Sequence, residues 1–193
     1  MPSVDEALFR RAREGDRQAF WELVLPFREL IYSVALGMLK NHEQAEDQLH
    51  EVLLQAFRSL SNLRDPARLG SWLYSMTRNL SLDQIRKAQR LRGAIYASHG
   101  HGTSVAPVVP VEQRKEKEQW LTWMKAALDQ LPEPFRVALA LNYMNDTSCQ
   151  EMAEILELTV PAVKSRLFQA RKLLRRKTET LAAKEKGLDH GLR

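Results

Sequence analysis

The chain has 193 residues, 44% hydrophobic and 27% charged, which excludes wholesale disorder and leaves room for one medium domain or two small ones. Eight glycines and eight prolines are too few for a turn-dense β fold, and the single cysteine, Cys149, excludes an internal disulfide and fits a reducing compartment. The net charge of +5 favours polyanionic partners, so the placement of the charges matters more than their sum.

Asp5 to Glu14 predicts a short helix closed by Gly15, with Asp16 capping the next. Phe20, Leu23, Val24, Phe27, Leu30, Ile31, Val34 and Met38 recur at three- and four-residue steps as one apolar face. Pro26 lies inside that face and predicts a kink or a restart. The most apolar run, Leu30 to Leu39, is too short to span a bilayer, and no signal sequence opens the chain. The expectation is a cytoplasmic protein without direct membrane insertion.

Asn41 is placed to cap a third helix, with Ala45, Leu49, Val52, Leu53, Ala56, Phe57 and Leu60 as its inner stripe. The polar loop SNLRDPARLG follows. A fourth helix then turns Leu69, Trp72, Leu73, Met76 and Leu80 inward and runs to about Arg92. Gly93 to Val111 has no helical period and reads as a flexible linker. Helical spacing resumes from Arg114, with Trp120, Leu121, Met124, Ala127, Leu128 and Leu131 on one face, and LPEP breaks it. Phe135, Val137, Ala138, Leu141 and Met144 mark another helix, Ser148 to Leu156 a short one, and a tight turn leads into the last. The fold expected is all-α: two small helical bundles, 1–92 and 114–180, joined by a linker over 93–113 and followed by a basic tail over 181–193.

The last helix carries Lys164, Arg166, Arg171, Lys172, Arg175, Arg176 and Lys177 with no acid among them. Val163, Leu167, Ala170 and Leu174 form its buried stripe, so Ser165, Gln169, Lys172 and Arg176 face outward. Thr159 is placed as N-cap with Pro161 in the first turn. Cations near a helix C-terminus are favoured by the macrodipole whatever the function, so this helix alone also fits a solvated amphipathic rod. The short helix SCQEMAEIL and the turn before it make the pattern a helix-turn-helix, whose second helix enters the major groove. Arg and Lys suit guanine and Gln suits adenine there, and the later cations suit phosphates.

VKSRLFQARKLLR resembles the recognition helix of extracytoplasmic-function sigma factors, a group within the sigma-70 family of bacterial RNA polymerase specificity subunits. In the same order, AEDQLHEVLLQAF resembles their core-binding helix in domain 2. GSWLYSMTRNLSLDQIRK resembles their minus-ten-recognising helix, and ALDQLPEPFRVALAL the opening of domain 4. The likeness reaches nearly everything outside the linker and the tail. It implies a factor that binds core RNA polymerase, through its β′ and β subunits, and reads minus-thirty-five and minus-ten promoter DNA in initiating transcription. An anti-sigma factor is expected as a further partner.

The resemblance assigns core-polymerase binding to Asp47, Glu51, Gln55 and Arg58. Glu43, Glu46, Asp47 and Glu51 suit a basic protein surface by charge, although an acidic solvated face would look the same. Minus-ten contacts fall to Asn62, Arg64, Asp65 and Arg68 in the loop, and to Ser71, Tyr74, Ser75, Arg78, Asn79, Arg86 and Lys87 on the helix. Tyr74 is expected exposed for stacking and Trp72 in the core. Minus-thirty-five contacts fall to Thr159, Val160, Lys164, Ser165, Arg166, Gln169, Arg171 and Lys172. Opening DNA in this way uses captured bases and phosphate contacts. Two tethered readers would gain by effective concentration.

Several positions depart from the family pattern. His50 stands where Gln is usual and Leu53 where an aromatic is common. Glu157 replaces the turn Gly, and Val160 and Pro161 replace more polar residues. His99 and His101 with Cys149 make a poor metal site, being far apart in sequence. No Gly-rich phosphate loop, ligand cluster or nucleophile with a base is present, so no enzyme, metal or cofactor is expected. Two rivals are a stand-alone helix-turn-helix regulator that needs no polymerase, and a polymerase-binding decoy that has lost promoter reading.

Overall fold

A computed structural model describes residues 4–98 and 115–190, which form nine α-helices and three single 3-10 turns without a strand among the described residues. Helix α1 (Glu6–Arg13) starts at Asp5, whose carboxylate accepts from the amides of Ala7 at 2.7 Å and Leu8 at 3.1 Å. Gly15 turns the chain with φ +95°, a region open to glycine at no steric cost. Helix α2 (Arg17–Val24) is capped by Asp16, which takes the Ala19 amide at 3.0 Å and the Arg11 guanidinium at 2.6 Å. The Ala19 amide first, and then Arg11, hold the Asp16 carboxyl below its ordinary range.

Pro26 causes a restart, not a kink: a 3-10 turn at Leu25–Phe27 separates α2 from α3 (Arg28–Leu39). Lys40 ends α3 in the left-handed region at φ 62°, and Asn41 caps α4 (His42–Ser59) through the Gln44 amide at 2.9 Å. The loop to α5 holds 3-10 turns at Leu60–Asn62 and Pro66–Arg68. Helix α5 (Leu69–Ser98) runs past Arg92, the end that periodicity predicts. Gly93 costs about 1 kcal/mol against Ala but does not stop a helix already nucleated over many turns. The remaining linker residues, His99 and His101 among them, lie outside the described residues.

Ile31, Val34, Val52, Leu60, Leu69 and Leu73 are fully buried at the centre of α1 to α5, each contributing about 1.5–3 kcal/mol by burial. Phe20 and Phe57 meet edge-on beside them at 5.1 Å between centroids. Trp72 is half-buried against this core, as expected.

The second group of helices is α6 (Lys115–Asp129), α7 (Glu133–Met144), α8 (Cys149–Leu156) and α9 (Val160–His190). Leu141, Met152 and Val163 are fully buried here, with Leu131, Ile155, Leu167 and Ala170 around them. The stripe expected on α6 is only half right. Ala127 and Leu131 are buried, but Trp120 and Leu121 are exposed, because α6 packs chiefly on α9. Helix α9 continues to His190, through much of the stretch expected to be a tail.

The two bundles are packed together, with α3 laid along α7. Gly37 makes this approach possible, since a Cβ there would sit 3.1 Å from the Val137 Cα. Arg136 Nε donates to the Gly37 carbonyl at 2.8 Å, and Lys40 Nζ donates to the Asp129 carbonyl. The Ser33 hydroxyl donates to Asn145 Oδ1 at 2.8 Å across the same seam.

Candidate nucleic-acid interface

The corner between α8 and α9 is built by local rules. Ser148 and Glu151 form a reciprocal cap, with Glu151 N to Ser148 Oγ at 3.2 Å and Ser148 N to Glu151 Oε2 at 2.9 Å. Glu157, which replaces the turn glycine, takes the left-handed region at φ 52°, and Leu158 N bonds the Ala153 carbonyl at 2.9 Å. A glutamate there costs on the order of 1 kcal/mol relative to glycine. Thr159 Oγ1 accepts the Ala162 amide at 3.3 Å and opens α9.

Burial of Val163, Leu167 and Ala170 turns Lys164, Ser165, Gln169 and Lys172 to solvent, with Gln169 Nε2 donating to Ser165 Oγ at 3.2 Å. Val160 and Arg166 are half-buried. Arg171 is less free than a phosphate-binding cation was expected to be. Its Nη2 donates to Asn142 Oδ1 at 2.8 Å, its Nε donates to the Tyr143 hydroxyl at 3.1 Å, and it lies over the Tyr143 ring. Phe168 was missed by sequence reasoning and is 67% exposed on this helix. Its place one residue off the buried stripe was the available signal.

In the first bundle, Arg13 Nη2 donates to the Ser61 carbonyl at 3.0 Å and steadies the loop after α4. Asp65 caps its 3-10 turn through the Ala67 amide at 2.9 Å. Asn62, Arg64, Asp65 and Arg68 are exposed, as are Ser75, Asn79, Arg86 and Lys87 along α5. Ser71 and Tyr74 correct the sequence-based expectation. Ser71, expected on the polar side, is buried and donates to the Arg68 carbonyl at 3.2 Å. Tyr74, expected exposed, is half-buried where α5 meets the second bundle, and burial pushes its phenol up. Arg78 is half-buried and pairs with Glu133 at 3.2 Å, while Arg86 pairs with Asp83 at 3.3 Å.

On α4 the exposed stripe is Asp47, Glu51, Gln55 and Arg58, four or three residues apart, with Glu43 and Glu46 at its start. Two apolar neighbours were not anticipated. Leu54 is 53% exposed and Trp21 51% exposed, and together with Phe57, Arg17, His50 and Arg58 they line one shallow groove. An exposed aromatic and leucine beside a charged stripe have the composition of a protein interface. Among the described residues no group of three His, Cys, Asp or Glu is arranged to hold a metal, and no helix is long and apolar enough to cross a membrane.

Comparison with known proteins finds a family match for each bundle. The Sigma-70 region 2 family matches residues 23–91, and the Sigma-70 region 4 family matches residues 121–174. The chain is 27% identical over 178 residues to the ECF RNA polymerase sigma factor SigW of Bacillus subtilis (strain 168), covering 89% of this chain and 95% of that one. It is 26% identical over 185 residues to the ECF RNA polymerase sigma-E factor of Escherichia coli (strain K12), covering 92% and 96%. Among solved structures, CnrH in complex with the cytosolic domain of CnrY superposes with a TM-score of 0.60 at 23% identity, covering 92% of this chain and 99% of that one. The sigma factor RpoE in complex with the anti-sigma factor NepR from Bartonella quintana gives 0.59 at 23% identity, covering 84% and 98%. Matches to both regions in chain order set the stand-alone regulator aside: the chain belongs to the sigma-70 family of RNA polymerase sigma factors, in its extracytoplasmic-function group.

Proposed function

We propose that the labour of this sigma factor is divided by charge, with one acidic helix for the enzyme and two basic surfaces for the gene. Residues 1–92 would act as the unit that binds core polymerase and the minus-ten element, and residues 114–180 as the minus-thirty-five reader. Asp47, Glu51, Gln55 and Arg58 would meet the β′ clamp, with Trp21 and Leu54 supplying apolar contact beside them. Arg68, Arg78, Arg86 and Lys87 would hold the backbone of the opened strand, while Asn62, Arg64, Asp65, Ser75 and Asn79 would face its bases. Ser71 fits better as a brace for Arg68 than as a base reader.

Lys164, Ser165, Arg166 and Gln169 would read base edges, and Lys172 would hold phosphate. Arg171 orients α9 on α7 through Asn142 and Tyr143, so its part in DNA binding would be to position its neighbours. The factor would act in the cytoplasm by binding energy alone, without catalysis of its own. An anti-sigma factor would hold it in reserve. An apolar groove of about 600 Å³ at the seam, lined by Leu36, Met124, Leu128, Leu139 and Tyr143, offers such a partner a place to dock.

The observation that carries this reading is the contrast between the acids that open the outer face of α4 and the acid-free run of cations from Lys164 to Lys177 on α9. Reconstitution with core polymerase and a promoter library, read by run-off sequencing, tests it. Specific start sites are expected with core, and Arg166→Ala should impair selection of the upstream element while sparing holoenzyme assembly. A tight shift of naked duplex without any association with core polymerase would overturn the reading.

A further inference from the structure

We infer that the apolar groove at the seam is a binding site for a fatty acid, with its carboxylate at Lys40, Lys125 and Arg136 and its acyl chain along the leucine and methionine walls. This goes beyond the promoter-reading roles proposed above and does not depend on them.

The groove holds about 600 Å³, within the range of small-molecule sites, and its lining comes from α3, α6, α7 and α9. The walls are aliphatic. Leu36, Met124, Leu128 and Leu174 are half-buried, Leu139 is buried and Met144 is exposed. Unbranched thioether side chains adapt to what they touch. Two methionines among leucines therefore suit a flexible chain better than a rigid ring.

Charge supplies the other half of the match. Lys40, Lys125 and Arg136 line the groove against one carboxylate, Asp129. The Gly37 carbonyl accepts from Arg136 Nε at 2.8 Å, the Leu131 carbonyl accepts from Arg136 Nη1, and the Asp129 carbonyl accepts from Lys40 Nζ. A guanidinium carries five N–H groups and an ammonium three, so both cations keep donors for a head group. Burial pushes both below their ordinary values, Arg136 adds to the effect at Lys40, and Asp129 offsets part of it at each. A monoanion laid beside them would favour their charged forms further.

The other polar groups of the groove are engaged. The Tyr143 hydroxyl accepts from Arg171 Nε at 3.1 Å, and His42 Nδ1 lies 2.7 Å from the Tyr32 hydroxyl. A sugar or a base, which needs several directional partners, finds few here. An apolar chain ending in one negative charge leaves no polar group of its own unpaired. Because the lining comes from both bundles, occupancy would stabilise both together. A protein partner seated on the groove would compete with the fatty acid.

The test titrates the full chain with octanoate, decanoate and dodecanoate below their micelle concentrations, read by calorimetry. Dodecanol and dodecyltrimethylammonium serve as the uncharged and oppositely charged controls. Affinity should rise about four-fold with each added methylene until the groove is filled. The cationic control should bind about ten-fold more weakly than dodecanoate. Lys125→Glu reverses a charge at the groove and should weaken dodecanoate by about five-fold while leaving dodecanol unchanged. Ala140→Phe fills the groove and should abolish binding of the whole series. If that variant does not fold, as circular dichroism would show, Lys125→Glu and the chain-length series decide. Equal affinity for the anionic and cationic amphiphiles, or none gained with chain length, marks detergent-like association and overturns the proposal. Unchanged dodecanoate affinity in Lys125→Glu or in folded Ala140→Phe places binding elsewhere and overturns it too. No binding at all leaves the groove to a protein partner. The sigma-factor reading survives each of these outcomes, since it is tested with core polymerase and promoter DNA.

Discussion

The two bundles differ in how much of their core they own. In the first, five helices enclose Ile31, Val34, Val52, Leu60, Leu69 and Leu73 completely, and α1 and α2 close its end with Phe9 and Phe20. In the second, α7 spends part of its buried surface, Val137 among it, on α3 of the first, while Trp120 and Leu121 on α6 are exposed. The first is a finished core with functional groups laid on its outside. The second is held partly by its neighbour, and a small bundle of this kind gains stability from whatever it docks against. A bundle that is not complete on its own can exchange one neighbour for another at little cost.

The sharpest way to break this contrast is to damage the finished core. Leu73→Ala, with no exposed surface to relax into, should cost about 2–5 kcal/mol in chemical denaturation and, because α7 leans on α3, lower the stability of the second bundle with the first. If the second bundle keeps its full stability in that variant, it does not lean on the first and the contrast between the two cores fails. Next, Asp47→Lys with Glu51→Lys should lower co-purification with core polymerase by about ten-fold or more, while duplex binding does not fall. A loss of DNA binding alone would move the enzyme-facing surface elsewhere. Ser148→Ala removes the cap from α8 and should cost about 1 kcal/mol, confined to the second bundle and visible as faster amide exchange in α8 and α9.

The smallest effect concerns pH. The Asp16 carboxyl is held below its ordinary value in the folded chain, so its contribution is present above the unfolded value and lost as pH falls through the lower folded one. Asp16→Asn should therefore flatten the acid limb of the first bundle's stability curve slightly and leave neutral-pH stability of the second unchanged. Equal flattening for both bundles would place the effect elsewhere.

Much of this architecture is legible in the chain because it is governed by neighbours in sequence. Asp5, Asp16, Asn41, Ser148 and Thr159 all cap helices, and the three-and-four spacing of Val163, Leu167 and Ala170 locates the buried stripe of α9. What periodicity cannot report is a second body. Ser71 and Tyr74 lie off the apolar stripe of α5, yet the approach loop covers one and the other bundle half-covers the other. Gly37 is one small residue in an apolar run, and its meaning appears only with Val137 beside it. Trp21 and Leu54 are apolar residues out of phase with the buried stripes of their helices, a signal that periodicity alone carries. Arg171 looks like one cation among several because nothing local indicates that Asn142 and Tyr143 hold it.

The length of α9 has a mechanical consequence. Its 31 residues span roughly 46 Å at 1.5 Å per residue, and only the opening turns hold the groups proposed to read base edges. The remainder is a stiff pointer anchored at the Glu157 corner. A swing of about 10° at that corner would carry the pointer's tip through about 8 Å. A probe fixed on exposed Lys184 would thus act as a goniometer, magnifying small rotations at the opening turns into a displacement large enough to time.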